Sequence, residues 1–253
     1  MPELHHRLDG PGDAPVLLLS NSLGTTLEMW DRQLPALAER FRLLRYDARG
    51  HGRSEVPEGP YSMADLGADV VELLDRLEME RASFCGLSLG GMVGVWLGVH
   101  APERIDRLAL CCTAAHRVRP AEDWRALAGT VREQGVEAVA DATIGRWFSP
   151  EFREAEHELV GSVREALVST PPEGYASSAE AISGHDERDR LGDLALPTLV
   201  VTAADDPSIS PGEGAAIAER VPDARLEALP HGRHLCNIEH SEAFNRALIA
   251  FLG

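Results

Sequence analysis

The sequence predicts an α/β fold: a mostly parallel sheet with helices on both faces and an inserted helical cap. Three observations carry this expectation. Short apolar runs alternate with helical patterns through the first part of the chain. The alternation stops between about Ala115 and Arg190, where the spacing is helical throughout. It then resumes to the end. Strands separated by helices read as crossover units, because parallel neighbours need a connection of a dozen or more residues. With 253 residues and 44% hydrophobic side chains, the chain suits one large domain or one domain carrying an insertion. The expected division is a core of residues 1–114 and 191–253 and a cap of residues 115–190.

The elements follow in order. Val16-Leu17-Leu18-Leu19-Ser20 is continuous and apolar, as expected of a strand covered on both faces, and Asn21-Ser22-Leu23-Gly24 ends it. Arg42 to Tyr46 is a second strand, ended by Asp47-Ala48-Arg49-Gly50. Leu66, Val70, Leu73, Leu74 and Leu77 share one helical face, with Ser62 as N-cap and Asp65 three residues on. Ala82 to Cys85 is a strand that runs into a glycine-rich turn, and Met92 to His100 is a helix closed by Ala101-Pro102. Ile105 to Cys111 is the next strand. After the helical stretch, Thr198 to Thr202 is a strand, Gly214 to Arg220 a helix, Arg225 to Leu229 extended, and Glu242 to Leu252 a helix.

Composition excludes several function classes. The formal charge is −17, from 24 basic and 41 acidic side chains, with no Lys/Arg-rich segment. Such a surface repels nucleic-acid phosphates and anionic lipid, so neither is an expected partner. Cys85, Cys111, Cys112 and Cys236 form no C-x-x-C pair and read as reduced, buried thiols. The first residues lack the apolar core of a signal peptide, and no apolar run is long enough to span a membrane. The expectation is a cytoplasmic protein. Asp47, His51 and their glycines lack a further ligand cluster or a P-loop lysine, so they read as a tight turn with Arg and Asp pairing internally, and no metal is expected.

Chemistry concentrates at Gly86-Leu87-Ser88-Leu89-Gly90. A strand that turns sharply into a helix strains its tip residue and brings neighbouring chains too close for flanking side chains, hence the glycines. The serine is held out at the carboxyl end of the sheet, where free helix N–H groups favour developing negative charge. A serine hydroxyl needs a base oriented by an acid, and this motif expects them in the order serine, acid, histidine. Asp205 and Asp206 follow one late strand; His231 and His234 follow the next. Local pattern leaves both choices open. The loop Asn21-Ser22-Leu23-Gly24 suits a second oxyanion donor, so the expected hole is made by the backbone N–H groups of Leu23 and Leu89.

With these segments in place, the chain resembles an α/β-hydrolase along its whole length. Within that superfamily it is most similar to the 3-oxoadipate enol-lactonases of aromatic-compound (protocatechuate and catechol) degradation. Leu19 to Thr25, Met29-Trp30-Asp31, Tyr46 to Ser54, Phe84 to Met92 and His234 to Glu239 carry the likeness. The Asn21 to Gly24 segment discriminates best, since many relatives have His-Gly in place of Asn21-Ser22. The resemblance implies Asp206, before Pro207, as the acid and His234 as the base, with Ser88 as nucleophile. It implies opening of a carboxylate-bearing enol-lactone without cofactor or metal. Asn21, Ser22, Trp124, Trp147 and Arg146 are then candidates for substrate contact. His116, Arg117 and Arg119 join Arg146 as candidate cations for the carboxylate. The same scaffold also suits a carboxylesterase, a carbon–carbon bond hydrolase or a perhydrolase, and more remotely a non-catalytic small-molecule receptor.

Overall fold

The structure, a computed structural model, describes residues 2–253. The elements in chain order are β1 (His6–Asp9), β2 (Val16–Ser20), a 3-10 segment Leu27–Gln33 running into α1 (Leu34–Leu37), β3 (Arg42–Tyr46), α2 (Met63–Arg76), β4 (Ala82–Leu87), α3 (Leu89–His100) and β5 (Ile105–Cys111). Then come α4 (Ala121–Gln134), α5 (Glu137–Trp147), α6 (Pro150–Ala155), α7 (His157–Val168) and α8 (Pro172–Ser183). The chain closes with β6 (Thr198–Ala203), α9 (Pro211–Arg220), β7 (Ala224–Leu229), α10 (Cys236–Glu239) and α11 (Ser241–Leu252).

Among the described residues, seven strands form one sheet in the order β1-β3-β2-β4-β5-β6-β7. Only β1, against β3, is antiparallel; the other neighbours are parallel. From β2 the chain moves outward to β3, then crosses back to β4 on the other side. That reversal opens a crevice at the carboxyl ends of β2 and β4, where open α/β sheets bind ligands. The central strands are buried along nearly their whole length, because α2, α3 and α11 cover the two faces with apolar side chains. Ser62 caps α2 as expected: its Oγ accepts the Asp65 N–H at 3.1 Å, and Asp65 accepts the Ser62 N–H at 2.8 Å.

Two features differ from expectation. Residues His6–Asp9 form a strand although they contain no apolar run. An edge strand has one partner and leaves half its side chains in water, so its hydrophobic signal is lost. Buried Arg45 of β3 secures this edge, donating to Asp9 at 2.9 Å and to Asp31 at 2.7 Å. In the turn Asp47–Ser54 the arginine does not pair within the turn. Arg49 makes a two-pronged contact with Asp69 of α2, both bonds 2.6 Å, while Asp47 accepts the N–H groups of Leu27 and Arg53. A single planar guanidinium matched to one carboxylate outweighs the shorter sequence separation.

Helices α4 to α8 occupy the long gap between β5 and β6. Where the chain leaves and rejoins the sheet, the two passages pair: Glu187 N–H donates to Ala115 at 2.7 Å and Arg117 N–H to His185 at 3.0 Å. His185 is buried there, and burial pulls its pKa down to about 4. The folded protein thus holds it neutral, while the unfolded chain takes up a proton as the pH falls through about 6.5. Stability should therefore fall as the pH drops from about 6.5 towards 4, by about 3 kcal/mol from this group. Urea unfolding of His185→Leu across that range should show a flatter pH dependence than the parent; an unchanged profile would count against this assignment.

Candidate active site

At the end of β4 the chain turns at Ser88, whose φ of 57° and ψ of −114° are strained for a residue with a Cβ. Helix α3 starts at the next residue. The turn is tight enough to dictate its neighbours. A Cβ on Gly86 would lie 2.1 Å from the Gly90 carbonyl oxygen, and one on Gly90 would lie 2.3 Å from the Ser20 carbonyl oxygen. Ser88 N–H donates to Cys111 at 2.9 Å and Gly90 N–H to Asn21 at 3.0 Å. The intervening Leu89 N–H, first in the helix, has no partner among the described residues.

The loop after β2 shows the same pattern. Ser22 N–H contacts the Met29 sulfur at 3.4 Å, and the Ser22 carbonyl accepts from Thr25 N–H at 3.2 Å and Thr25 Oγ1 at 2.8 Å. Leu23 N–H is left without a partner among the described residues. Asn21, expected as a substrate contact, does not line the cavity. Its amide donates to the Tyr46 carbonyl at 2.7 Å and its Oδ1 accepts from Trp30 Nε1 at 2.9 Å. Both ends of the buried side chain are occupied, so Asn21 anchors the loop and its role as a substrate contact is withdrawn. Ser22 does face the cavity.

Of the two late carboxylates, Asp205 is exposed and Asp206 is 7% exposed. Asp206 Oδ1 accepts the N–H groups of Ser208 and Ile209 at 2.8 and 3.1 Å, and Oδ2 accepts from His234 Nδ1 at 2.8 Å. His231 lies on the surface. A long-range clamp steadies the His234 loop: Asn237 donates to Met29 O at 2.9 Å, and Gln33 donates to Asn237 O at 2.8 Å.

Ser88 and His234 share one cavity of about 60 Å³ with Ser22 and Leu23. Helices α4, α5 and α8 supply the opposite wall, including Trp124, Trp147 and Arg146. Arg119, just before α4, also faces it. Neither arginine has a carboxylate within ion-pair distance among the described residues. Arg119 lies over the Trp124 ring at 4.3 Å, and Arg146 donates only to Thr143 Oγ1 at 2.9 Å. Burial weakens the hold of Arg146 on its proton, and the nearby Arg119 adds to this. The other two candidate cations lie elsewhere: His116 bonds Glu213 at 3.0 Å, and Arg117 is absent from the cavity wall. Sequence reasoning missed Tyr175, Thr143 and Ile182 of the wall. Only the packing of α5 and α8 reveals which of their faces meets Ser88.

The family described as alpha/beta hydrolase fold matches residues 15–142. The chain belongs to this family. It is 40% identical to 3-oxoadipate enol-lactonase 2 of Acinetobacter baylyi, over 98% of this chain and 92% of that one. Among solved structures it is similar to a hydrolase from Pseudomonas aeruginosa PA01, with TM-score 0.96 and 47% identity over 100% of this chain and 95% of that one. It is similar as well to the enol-lactonase from Burkholderia xenovorans LB400, with TM-score 0.96 and 43% identity over 99% and 96% of the two chains.

The contact between Gly90 and β2 leaves no room for a methyl group, and the opposing atom is backbone. Gly90→Ala should destabilise the protein by about 2–3 kcal/mol, as overpacking in a rigid core does. Thermal or urea unfolding measures this; a change under about 0.5 kcal/mol would show that the turn can relax.

Proposed function

We propose that the protein is a serine hydrolase that opens a carboxylate-bearing enol-lactone, converting 3-oxoadipate enol-lactone to 3-oxoadipate in aromatic-compound degradation. The observation that carries this reading is a cavity that joins Ser88 and His234 to two arginines without carboxylate partners, in a chain of charge −17. Both arginines are half-buried, and a cation that has lost part of its hydration gains from an anion beside it, so the cavity suits an anionic acyl substrate. The likeness to two named enol-lactonases supports the same substrate. Free, buried thiols and the lack, among the described residues, of a helix long and apolar enough to cross a membrane fit a cytoplasmic enzyme. In this reading residues 115–190 act as a cap over a core of residues 1–114 and 191–253.

His234 takes the Ser88 proton as Oγ attacks the lactone carbonyl. Asp206, bonded to Nδ1, keeps the attacking-side nitrogen free to act as base and then stabilises the imidazolium. The tetrahedral oxygen accepts the unpartnered N–H groups of Leu23 and Leu89, each contributing roughly 3–4 kcal/mol to the transition state. Collapse breaks the bond to the ring oxygen, which leaves as an enolate and becomes a ketone on protonation by His234. Water, deprotonated by His234, then attacks the acyl-enzyme and releases the second carboxylate. Arg119 and Arg146 hold the carboxylate already present in the substrate, while Ser22, Trp124 and Trp147 line its path.

Ser88→Ala should lower lactone turnover by about 10³-fold or more, read by steady-state kinetics. Turnover retained in that variant sinks the nucleophile assignment, whereas ligand binding without any turnover in the parent marks a receptor. Arg119→Met and Arg146→Met should each raise KM for the anionic lactone about tenfold while leaving a neutral aryl ester nearly unaffected. If the parent hydrolyses aryl esters or carbon–carbon substrates well and the lactone negligibly, the substrate is one of those.

A further inference from the structure

His51 lies on the turn Asp47–Ser54, outside the catalytic set, and is 1% exposed. Its Nδ1 lies 3.1 Å from the Arg49 carbonyl oxygen, and its Nε2 lies 3.0 Å from the Gly24 amide nitrogen. A carbonyl can only accept and an amide N–H can only donate. The ring is thus restricted to one form, with the proton on Nδ1 and the lone pair on Nε2. Burial favours the same neutral state by pushing the imidazole away from its charged form. The ring is rigidly mounted: Arg49 is fixed by Asp69, Asp47 by two backbone amides, and the Ser54 N–H closes onto the His51 carbonyl at 3.0 Å.

Gly24 directly follows Leu23. In a trans peptide the N–H points opposite to the preceding C=O. The two Thr25 donors on the Ser22 carbonyl therefore direct the Leu23 N–H the other way. That clamp holds the peptide before Leu23. The bond from Gly24 N–H to His51 holds the peptide after it. Gly24 itself sits at φ +77°, a conformation that glycine adopts freely and that offers little resistance of its own to a flip of that peptide.

We infer that His51 is a positioning residue: as a neutral acceptor it locks the Leu23–Gly24 peptide and so aims the Leu23 N–H at the developing oxyanion. This rests on the serine-hydrolase reading, in which Leu23 supplies that donor. An oxyanion donor acts only where the negative charge develops, so a loosened loop lowers kcat and leaves ground-state binding largely intact.

The test compares the parent with His51→Phe, which keeps the ring and removes the acceptor, and His51→Gln, whose side-chain carbonyl can reach the Gly24 N–H. For His51→Phe, kcat should fall about 10- to 100-fold with KM changed by no more than about twofold, and an alkyl boronic acid that mimics the tetrahedral state should lose affinity in parallel. His51→Gln should recover most of both. Nitrogen NMR of the parent should show protonated Nδ1 and unprotonated Nε2 on His51, a readout that needs no variant to fold. Parent-like kcat in His51→Phe, equal impairment in a folded His51→Gln, or a proton on Nε2 would each overturn the inference. An aryl phosphonate separates the two readings. A parent labelled at Ser88 and active, beside an unimpaired His51→Phe, removes only the role of His51. A parent neither labelled nor active removes the hydrolase reading and the positioning role together.

Discussion

The site depends on one close backbone approach, that of the turn after β4 to the end of β2. Gly90 comes so near Ser20 that a Cβ would overlap its carbonyl, and its N–H bonds to Asn21 at 3.0 Å. The contact lies where the chain reverses direction across the sheet, between β2 and β4. It sets the turn at Ser88 and the loop after β2 side by side, with Leu23 and Leu89 N–H groups both without partners among the described residues. A bulkier residue at Gly90 would part the two loops. The strain at Ser88 can persist because the surrounding sheet and α3 over-determine the turn.

Polar groups near this contact are anchored, whereas several in the cavity lack a charged or hydrogen-bonding partner among the described residues. Asn21 has both ends of its amide occupied, Asp47 accepts two amides, and Arg49 is matched to Asp69. Across the cavity Arg119 and Arg146 find no carboxylate among the described residues, and buried Trp124 Nε1 has no acceptor. Most buried polar groups of a folded chain find a partner. Arg119, Arg146 and the Trp124 Nε1 share one cavity with Ser88 and His234, and the proposed anionic substrate rests on that arrangement.

Much of this was legible in the residues. Apolar runs located six of the strands, the Ser62–Asp65 box located a helix start, and Gly86, Gly90 and Gly91 around Ser88 marked the turn. The polar edge strand His6–Asp9 was not legible, since one-sided pairing leaves no periodic signal. The partner of Arg49 was misjudged because Asp69 is distant in sequence and near only once α2 packs. Asn21 was misread for a related reason: its partners Trp30 and Tyr46 lie on elements whose arrangement the local pattern does not reveal.

By itself, the sequence determined the fold class and the turn at Ser88, because backbone sterics and hydrophobic period act on neighbours along the chain. Local pattern left Asp205 and Asp206 open, and only the family resemblance pointed to Asp206; the tertiary structure brings Asp206 to His234 at 2.8 Å, a distance that depends on the spacing of two loops that follow different strands. It also placed two of the four candidate cations, Arg119 and Arg146, at the cavity wall and brought His51 to Gly24 of the loop after β2. Such contacts join residues 20 or more positions apart, and only the assembled sheet and its packed helices fix their distances.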